Sequence, residues 1–223
     1  MEGQLVESQS ILVWLKLFFE DGGVFMWVTL FVWLLSMGLA IYKFYELQFK
    51  WDVDGPSFMN ELQRYVLSND IQGGIRICSG TKAALPKVLK GGLKRAYQSP
   101  DQIQNALDAS ALEVIPKVEG RLNYISFNAN MSMLLGLLGT TLGLILVFGA
   151  IAKADPSQKA ELLAKGVSTA MNNTALGLFS AISLLFIHSY LSSRCGKIIN
   201  EIDEFSVKLL DLIGTKNEVE SKK

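Results

Sequence analysis

Two long charge-free stretches of the chain each contain a group of threonine or asparagine residues, whose side chains carry hydroxyl or amide groups. These residues are Thr140, Thr141, Thr169, Asn172, Asn173 and Thr174. If two helices carrying these residues pair antiparallel across the short loop between them, the polar groups cluster at similar depths. Hydroxyl and amide oxygens at such a depth can ligate a cation or line a path of water. The first chemistry to consider is therefore ion conduction.

Small residues recur at helical spacing in the same two stretches. They are Gly136, Gly139 and Gly143 in the segment LLGLLGTTLGLI, and Ala170, Gly177 and Ala181 in the later stretch. Small residues on one face let a neighbouring helix approach closely, so this face predicts helix packing or a pore wall. Close packing alone also explains the glycines, whereas the clustered hydroxyl and amide groups favour a conducting seam.

Charged residues are absent from three runs, Gly22–Tyr42, Leu122–Ala152 and Gly166–Ser193, in which His188 alone can titrate near neutral pH. A proton relay needs a titratable group, and His188 falls near the end of its run, where an interfacial role is expected. A charged carrier would therefore come from another polypeptide. No Ser/His pair, paired Asp or HExxH-like constellation occurs in these runs, so we expect no enzyme and no cofactor.

Each of the three runs exceeds the roughly 20 residues that a helix needs to cross the hydrocarbon core. The sequence therefore predicts an all-α integral membrane protein with three transmembrane helices, of which helices two and three extend into the cytosol as a helical bundle. The predicted segments are an external interfacial amphipathic helix (1–21), the first span (22–45), a cytosolic helical segment (46–121), the second span (122–152), an external loop (153–165), the third span (166–193) and a cytosolic C-terminal helix and tail (194–223).

Lysine and arginine are distributed unevenly about these spans. Residues 43–121 hold eleven of them and the tail from Arg194 holds six, against four in the N-terminus and the loop after the second span together. The positive-inside rule therefore predicts an N-terminus outside and a cytosolic C-terminus. The net charge is zero and no dense basic block occurs, so nucleic acid is not an expected partner. Cys78 and Cys195 are expected to be free thiols.

Apolar residues at helical spacing extend the pattern beyond the spans. One continuous helix is predicted from about residue 100 to residue 152, starting at the Ser99-Pro100 capping signal. An apolar face that needs a partner is predicted after the third span, and a second face fits an interfacial helix before the first span. These faces are Ile198, Ile202, Phe205, Leu209 and Leu212, and Leu5, Leu12, Leu15 and Phe19, respectively.

Two segments resemble signatures of the MotA/TolQ/ExbB ion-channel family, and in length and layout the chain is most similar to its ExbB/TolQ branch. LLGLLGTTLGLI resembles the second-helix signature LLGLLGTVxGxI, and NNTALGLFSAI resembles the third-helix signature xATALGLxAAI. With the three-helix, N-out layout, the resemblance extends from about Phe25 to Phe205. The cytosolic segment matches only in length and helical character.

The resemblance implies a subunit of the bacterial inner membrane that forms a homo-pentamer around a dimer of ExbD/TolR/MotB-like single-span partners. The partner supplies a membrane aspartate, and Thr140 and Thr174 occupy the positions of pore-lining threonines. Flow of protons or sodium ions then drives a molecular motor that transmits force across the envelope, with a TonB-like or TolA-like protein as a further partner. The process served would be TonB-dependent uptake or Tol-like envelope maintenance.

One position departs from the family pattern. ExbB and TolQ carry a glutamate five residues before the third-helix threonine, and here that position is Thr169. The hard oxygens of Thr140, Asn173 and Thr174 are candidate sodium contacts, but the same groups can line a proton path through water. Proton and sodium therefore stay open as the transported ion. A static membrane scaffold that assembles partner helices is the alternative function.

Overall fold

The computed structural model describes residues 22–221 together with Val13, Lys16, Phe18 and Phe19, with side chains as far as Thr215, and the regular secondary structure of this part is all helical. Three stretches, Gly23–Leu67, Pro100–Lys153 and Lys159–Thr215, contain helix that is long and apolar enough to cross a membrane. The prediction of an all-α membrane fold with three spans is confirmed.

Seven α-helices and one π-helical turn follow one another among the described residues of 22–221. In chain order they are α1 (Gly23–Glu46), the π-helical turn (Leu47–Trp51), α2 (Gly55–Leu67), α3 (Ile71–Gly80), α4 (Ala84–Leu93), α5 (Pro100–Glu119), α6 (Leu122–Lys153) and α7 (Lys159–Ser221). They form two compact units. The membrane unit comprises Met1–Ala40 and Asn123–His188, and the bundle unit comprises Ile41–Leu122 and Ser189–Lys223.

The membrane unit has large apolar side chains on its surface and small polar ones inside. Phe31, Leu146 and Phe186 are 67%, 74% and 78% exposed. The buried polar residues are Thr29, Ser36, Ser132, Asn173 and Ser180. Thr29, Ser36 and Ser132 each donate their hydroxyl to the carbonyl four residues earlier, which satisfies the donor within its own helix. An apolar exterior of this kind is suited to lipid or to a neighbouring subunit.

The bundle unit has a conventional core of large aliphatic residues. Leu62, Leu89 and Ile103 are at most 1% exposed, and they come from α2, α4 and α5. The predicted apolar face of the C-terminal helix also lies in this core, since Ile198, Ile202, Phe205 and Leu209 are all buried. The partner that this face needs is therefore within the same chain. At the C-terminal end of this face the buried residue differs from the prediction, because Ile213 is buried and the predicted Leu212 is only half-buried.

The predicted continuous helix from about residue 100 to residue 152 is interrupted, and this prediction is wrong. Helix α5 ends at Glu119 and α6 begins at Leu122, with Arg121 between them at φ 69°. A residue in the left-handed region cannot continue a right-handed helix, so the break lies there. Pro116 lies inside α5 without ending it. The guanidinium of Arg121 lies 5.2 Å from the Tyr42 ring centroid, a cation–π contact within the bundle unit.

The ends of the predicted spans also differ from the observed helices. Helix α7 begins at Lys159, inside the range 153–165 that was predicted as external loop. The turn that precedes this helix follows Asp155, whose carbonyl accepts a hydrogen bond from the Gln158 amide. The third helix continues without a break to Ser221, as its apolar periodicity predicted. Of the predicted helix 1–21, Leu5, Leu12 and Leu15 lie outside the described residues, whereas Phe19 is helical.

Candidate functional site

Helices α6 and α7 approach each other closely along their small residues, within the membrane unit. A Cβ atom added to Gly136 would lie 2.9 Å from the Gly177 Cα, and one added to Gly139 would lie 3.0 Å from the Asn173 side chain. A Cβ atom on Gly143 would make ordinary contact with Ala170, at 3.6 Å. As residue numbers rise along α6 they fall along α7, so the two helices run antiparallel. We call this line of contacts the seam.

Thr140 and Thr174 meet across the seam, where their hydroxyl groups are hydrogen-bonded to each other. The Thr140 Oγ1 atom also lies 3.0 Å from the Gly136 carbonyl oxygen and 3.1 Å from the Ala170 carbonyl oxygen. The two hydroxyl groups carry one proton each, and these two protons are shared among four oxygen atoms, the two hydroxyl oxygens and the two carbonyl oxygens. We call these two residues the threonine pair. It lies in a cluster with more acceptors than protons.

Asn173 is 4% exposed and directly precedes Thr174, a member of the threonine pair, on α7. Its Nδ2 group donates to the Gly22 carbonyl oxygen at 2.8 Å and to the Thr169 carbonyl oxygen at 3.1 Å. The Oδ1 atom is buried without a hydrogen-bond partner. An unpaired buried acceptor is costly, so an arrangement that retains one commonly has a strain or ligand explanation.

The remaining predicted polar residues do not join the threonine pair. Thr141 is exposed and donates to the Leu138 carbonyl of its own helix at 2.9 Å. Thr169 is half-buried and donates to the Lys165 carbonyl at 3.1 Å. Asn172 is half-buried next to Asn173. The structure therefore brings Thr140 and Thr174 together and packs the Asn173 side chain against Gly139, the neighbour of Thr140. It leaves Thr141 and Thr169 bonded to their own helices.

Several contacts of this site were not predicted from the sequence. Gly166 packs against Val147, which extends the seam beyond Gly143. Helix α1 joins α7 through Trp33, whose Nε1 group donates to the Ser183 hydroxyl at 2.8 Å and whose ring lies beside Phe179. Ala181, predicted on the same face as Gly177, is 4% exposed. The spacing of Trp33 from Thr29 and Ser36 on one face of α1 was the available signal.

The seam is electrically neutral. Among the described residues no group of three or more His, Cys, Asp or Glu side chains could hold a metal ion. Any cation at the threonine pair would meet hydroxyl and carbonyl oxygens, which are the ligands of hard cations. The site can therefore offer oxygen ligands to an ion but no carboxylate.

A model of the MotA/TolQ/ExbB proton channel family matches residues 81–204, which is more than half of the chain and includes the seam residues of both helices. The chain belongs to this family. The predicted resemblance is confirmed, including its assignment to the ExbB/TolQ branch, because the similar proteins are named ExbB and TolQ.

Three relatives illustrate the degree of similarity within the family. A biopolymer transport protein ExbB homolog of Methanothermobacter thermautotrophicus is 24% identical over 190 residues, which cover 85% of this chain and 66% of that protein. The Tol-Pal system protein TolQ of Haemophilus influenzae is 32% identical over 47% of each chain. The biopolymer transport protein ExbB of Xanthomonas campestris pv. campestris is 27% identical over 58% of this chain and 51% of that protein. The chain thus spans between about half and two thirds of the length of these family members.

Proposed function

We propose that this chain is an inner-membrane ion-channel subunit of an ExbB/TolQ-like motor. With an ExbD/TolR-type partner it converts a proton or sodium gradient into mechanical force for envelope transport or maintenance. Membership of a proton channel family supports the channel part of this proposal. The relatives named as biopolymer transport and Tol-Pal proteins support the envelope part.

The observation that carries the proposal is the threonine pair. Two hydroxyl groups from different helices meet at a seam whose other members are glycine, alanine and asparagine, between stretches of apolar sequence. Because the two hydroxyl groups have two protons among four oxygen atoms, the cluster has lone pairs to offer to a cation or to hydrogen-bonded water. A path of this kind needs no titratable group of its own.

The lack of charge in the seam defines what a partner must supply. No Asp, Glu, Lys or Arg occurs from Leu122 to Ala152 or from Gly166 to Ser193. A single-span partner with a membrane aspartate would provide the carboxylate that an ion-driven cycle requires. We propose a pentamer of this chain around a dimer of such partners, with the N-terminus outside and the C-terminus in the cytosol. A TonB-like or TolA-like protein would receive the force.

The groups at the seam are compatible with either sodium ions or protons. Thr169, which stands where the branch carries a glutamate, donates its hydroxyl to Lys165 and offers no charge. Sodium would use the oxygens of Thr140, Thr174 and Asn173 directly, whereas a proton would cross through water that these oxygens hold. The unpaired Asn173 Oδ1 atom supports a ligand at this level of the seam.

A static scaffold is the second candidate, and the backbone contact of Gly136 with Gly177 favours it. Glycines in close contact can hold two membrane helices together without any ion passing between them. The two functions differ in what they require of the hydroxyl groups. A scaffold tolerates the loss of the Thr174 hydroxyl as long as the methyl groups still pack, whereas a channel does not.

Ion flux in proteoliposomes that contain this chain and its single-span partner distinguishes the two functions. Sodium and proton gradients are applied separately to the wild type and to Thr174→Val, Thr140→Val and Thr141→Val. The variants keep the shape of the side chain and remove one hydroxyl. Thr141→Val is the matched control, because the Thr141 hydroxyl is exposed and bonded to its own helix.

A channel predicts that Thr174→Val and Thr140→Val lose most of the flux, by about tenfold or more if one ion ligand of about 1.4 kcal/mol is removed. Thr141→Val is expected to conduct like the wild type. If the two variants lose only the flux driven by the sodium gradient, sodium is assigned as the ion. If they lose only the flux driven by the proton gradient, the proton is assigned. If correctly assembled wild-type complexes carry neither ion, the channel proposal is wrong and the scaffold takes its place.

A further inference from the structure

Lysine side chains gather around Trp51, at the point where the first long apolar helix ends. The Nζ atoms of Lys87 and Lys50 lie 4.4 Å and 4.9 Å from the centroid of the Trp51 ring. Lys117 and Lys82 act on Lys87 by charge repulsion. All these residues belong to the bundle unit. We call Lys50, Lys82, Lys87 and Lys117 the lysine cluster.

The lysine cluster has more positive charge than its carboxylates balance. Lys50 is paired with Glu46 at 2.8 Å, and Lys117 with Glu113 at 2.7 Å. Among the ion pairs of the described residues, none includes Lys82 or Lys87. Burial, followed by the charges of Lys50, Lys117 and Lys82, lowers the pKa of Lys87 below its ordinary value. A bound anion would relieve this repulsion.

Trp51 supplies a second reason to expect an anion, because its side chain has an unpaired hydrogen-bond donor. The side chain is 4% exposed, and its Nε1 group is buried without a hydrogen-bond partner. An indole N–H can only donate, so an acceptor is what this group lacks. An anion bound beside this ring would accept a hydrogen bond from the indole N–H group and balance the charge of the lysines that lie over the ring face.

The position of the lysine cluster points to a lipid as the source of the anion. Lys50 follows the last residue of α1 by four positions, which is about 6 Å of helix, so it lies where an apolar span meets the headgroup region. On the same segment Tyr45 and Phe49 have their ring centroids 4.7 Å apart and are 63% and 70% exposed. Exposed aromatic rings and lysines together are typical of a membrane interface.

We propose that Lys87, Lys50 and the other members of the lysine cluster form a binding site for a phosphate group, supplied by the headgroup of an anionic phospholipid. This site lies outside the seam and does not depend on the proposed function. Lys87 is the central residue, because it lies closest to Trp51 and has no carboxylate partner among the described ion pairs. Bound lipid would anchor the start of the bundle unit to the membrane surface.

The test measures binding of a short-chain phosphatidylglycerol to the full-length protein in neutral detergent, by native mass spectrometry. Lys87→Gln removes the central charge, and Lys87→Arg keeps it. Lys94→Gln is the matched control, since Lys94 is an exposed lysine of the same segment that is not among the charges acting on Lys87. Short-chain phosphatidylcholine and inorganic phosphate are measured in parallel, and circular dichroism checks that each variant keeps its helix content.

Lys87→Gln is expected to weaken phosphatidylglycerol binding about fivefold, which corresponds to losing the attraction of one lysine to an anionic lipid headgroup. Lys87→Arg and Lys94→Gln are expected to bind within twofold of the wild type. Equal losses in Lys87→Gln and Lys94→Gln, or equal binding of phosphatidylcholine by the wild type, would overturn the site. Competition by inorganic phosphate at the concentration of the lipid would overturn the lipid source, because the acyl chains would then contribute nothing.

Discussion

The interior of the membrane unit and the interior of the bundle unit are stabilised by opposite kinds of residue. At the seam the contacts are made by glycine, alanine, threonine and asparagine, and large apolar side chains such as Phe186 lie on the surface. In the bundle unit large side chains such as Leu62 and Ile202 are completely buried. In lipid, burying leucine between helices gives no hydrophobic stabilisation, so the helices associate through close backbone approach and hydrogen bonds. In water, burial of apolar area dominates.

The difference teaches which property of a side chain matters in each unit. The membrane unit depends on the absence of atoms at Gly136 and Gly177 and on the hydroxyl groups nearby. The bundle unit depends on the volume that its side chains fill. The same substitution, a change to alanine, should therefore act by adding an atom in one unit and by removing atoms in the other.

The largest expected effect is in the bundle unit. Ile202 is completely buried, so Ile202→Ala leaves a cavity and is expected to lower the free energy of unfolding by about 2–5 kcal/mol. Val207 lies on the same helix and is 57% exposed, so Val207→Ala should change stability by less than about 0.5 kcal/mol. Thermal unfolding in detergent, followed by circular dichroism, measures both. Similar losses in the two variants would contradict a core of this kind in the bundle unit.

A smaller effect is expected at the seam. In Gly136→Ala the new Cβ atom would lie 2.9 Å from the Gly177 Cα and from the Asn173 carbonyl oxygen, so the two backbones must separate. Overpacking of this type costs about 1–3 kcal/mol, and it should also separate Thr140 from Thr174. Gly149→Ala on the same helix is the control, because nothing lies within 4 Å of its Cβ position. There alanine should be neutral or stabilising, by up to about 1 kcal/mol.

The same unfolding measurement, combined with ion flux, decides this prediction. Gly136→Ala should lose both stability and flux, whereas Gly149→Ala should keep both. A Gly136→Ala protein as stable as the wild type would show that α6 and α7 do not meet at Gly136, and the seam would then need another register.

The sequence predicted the seam better than it predicted the bundle unit, and the reason is physical. Gly136, Gly139 and Gly143 stand out in a run of leucines, and small residues in a membrane helix have few uses besides close approach. The pairing of Thr140 with Thr174 then follows once the helices run antiparallel. The backbone acceptors, Gly22 for Asn173 and Ala170 for Thr140, were not predictable, because any carbonyl at the right depth serves equally well.

The bundle unit was predicted only as helical, since amphipathic faces show that a helix needs a partner but not which one. Ile198 to Leu209 could have packed against another subunit, and they pack within the chain instead. The break at Arg121 was missed for a different reason. Pro116 gave the stronger breaker signal, yet its fixed φ fits a helix and Arg121 adopts the left-handed conformation.

The smallest expected effect uses pH to probe the packing of the bundle unit at Cys78. This thiol is free, and burial raises its pKa to about 12 from an ordinary value near 9. The folded state therefore holds its proton more tightly than the unfolded state. The resulting stability is fully present below pH 9 and is lost as the pH rises from about 9 toward 12.

Between pH 8 and pH 10 the wild type should lose about 1 kcal/mol of stability that Cys78→Ala does not lose, since one unit of pKa difference corresponds to about 1.4 kcal/mol. The difference between the two pH dependences isolates the thiol, because every other group titrates in both proteins and the cavity left by alanine is independent of pH. Chemical unfolding in detergent at the two pH values measures it. The seam has no titratable side chain, so this alkaline loss should come from the bundle unit alone. Parallel pH dependences in the two proteins would mean that Cys78 is hydrated and that the core around it is more open than its 1% exposure indicates.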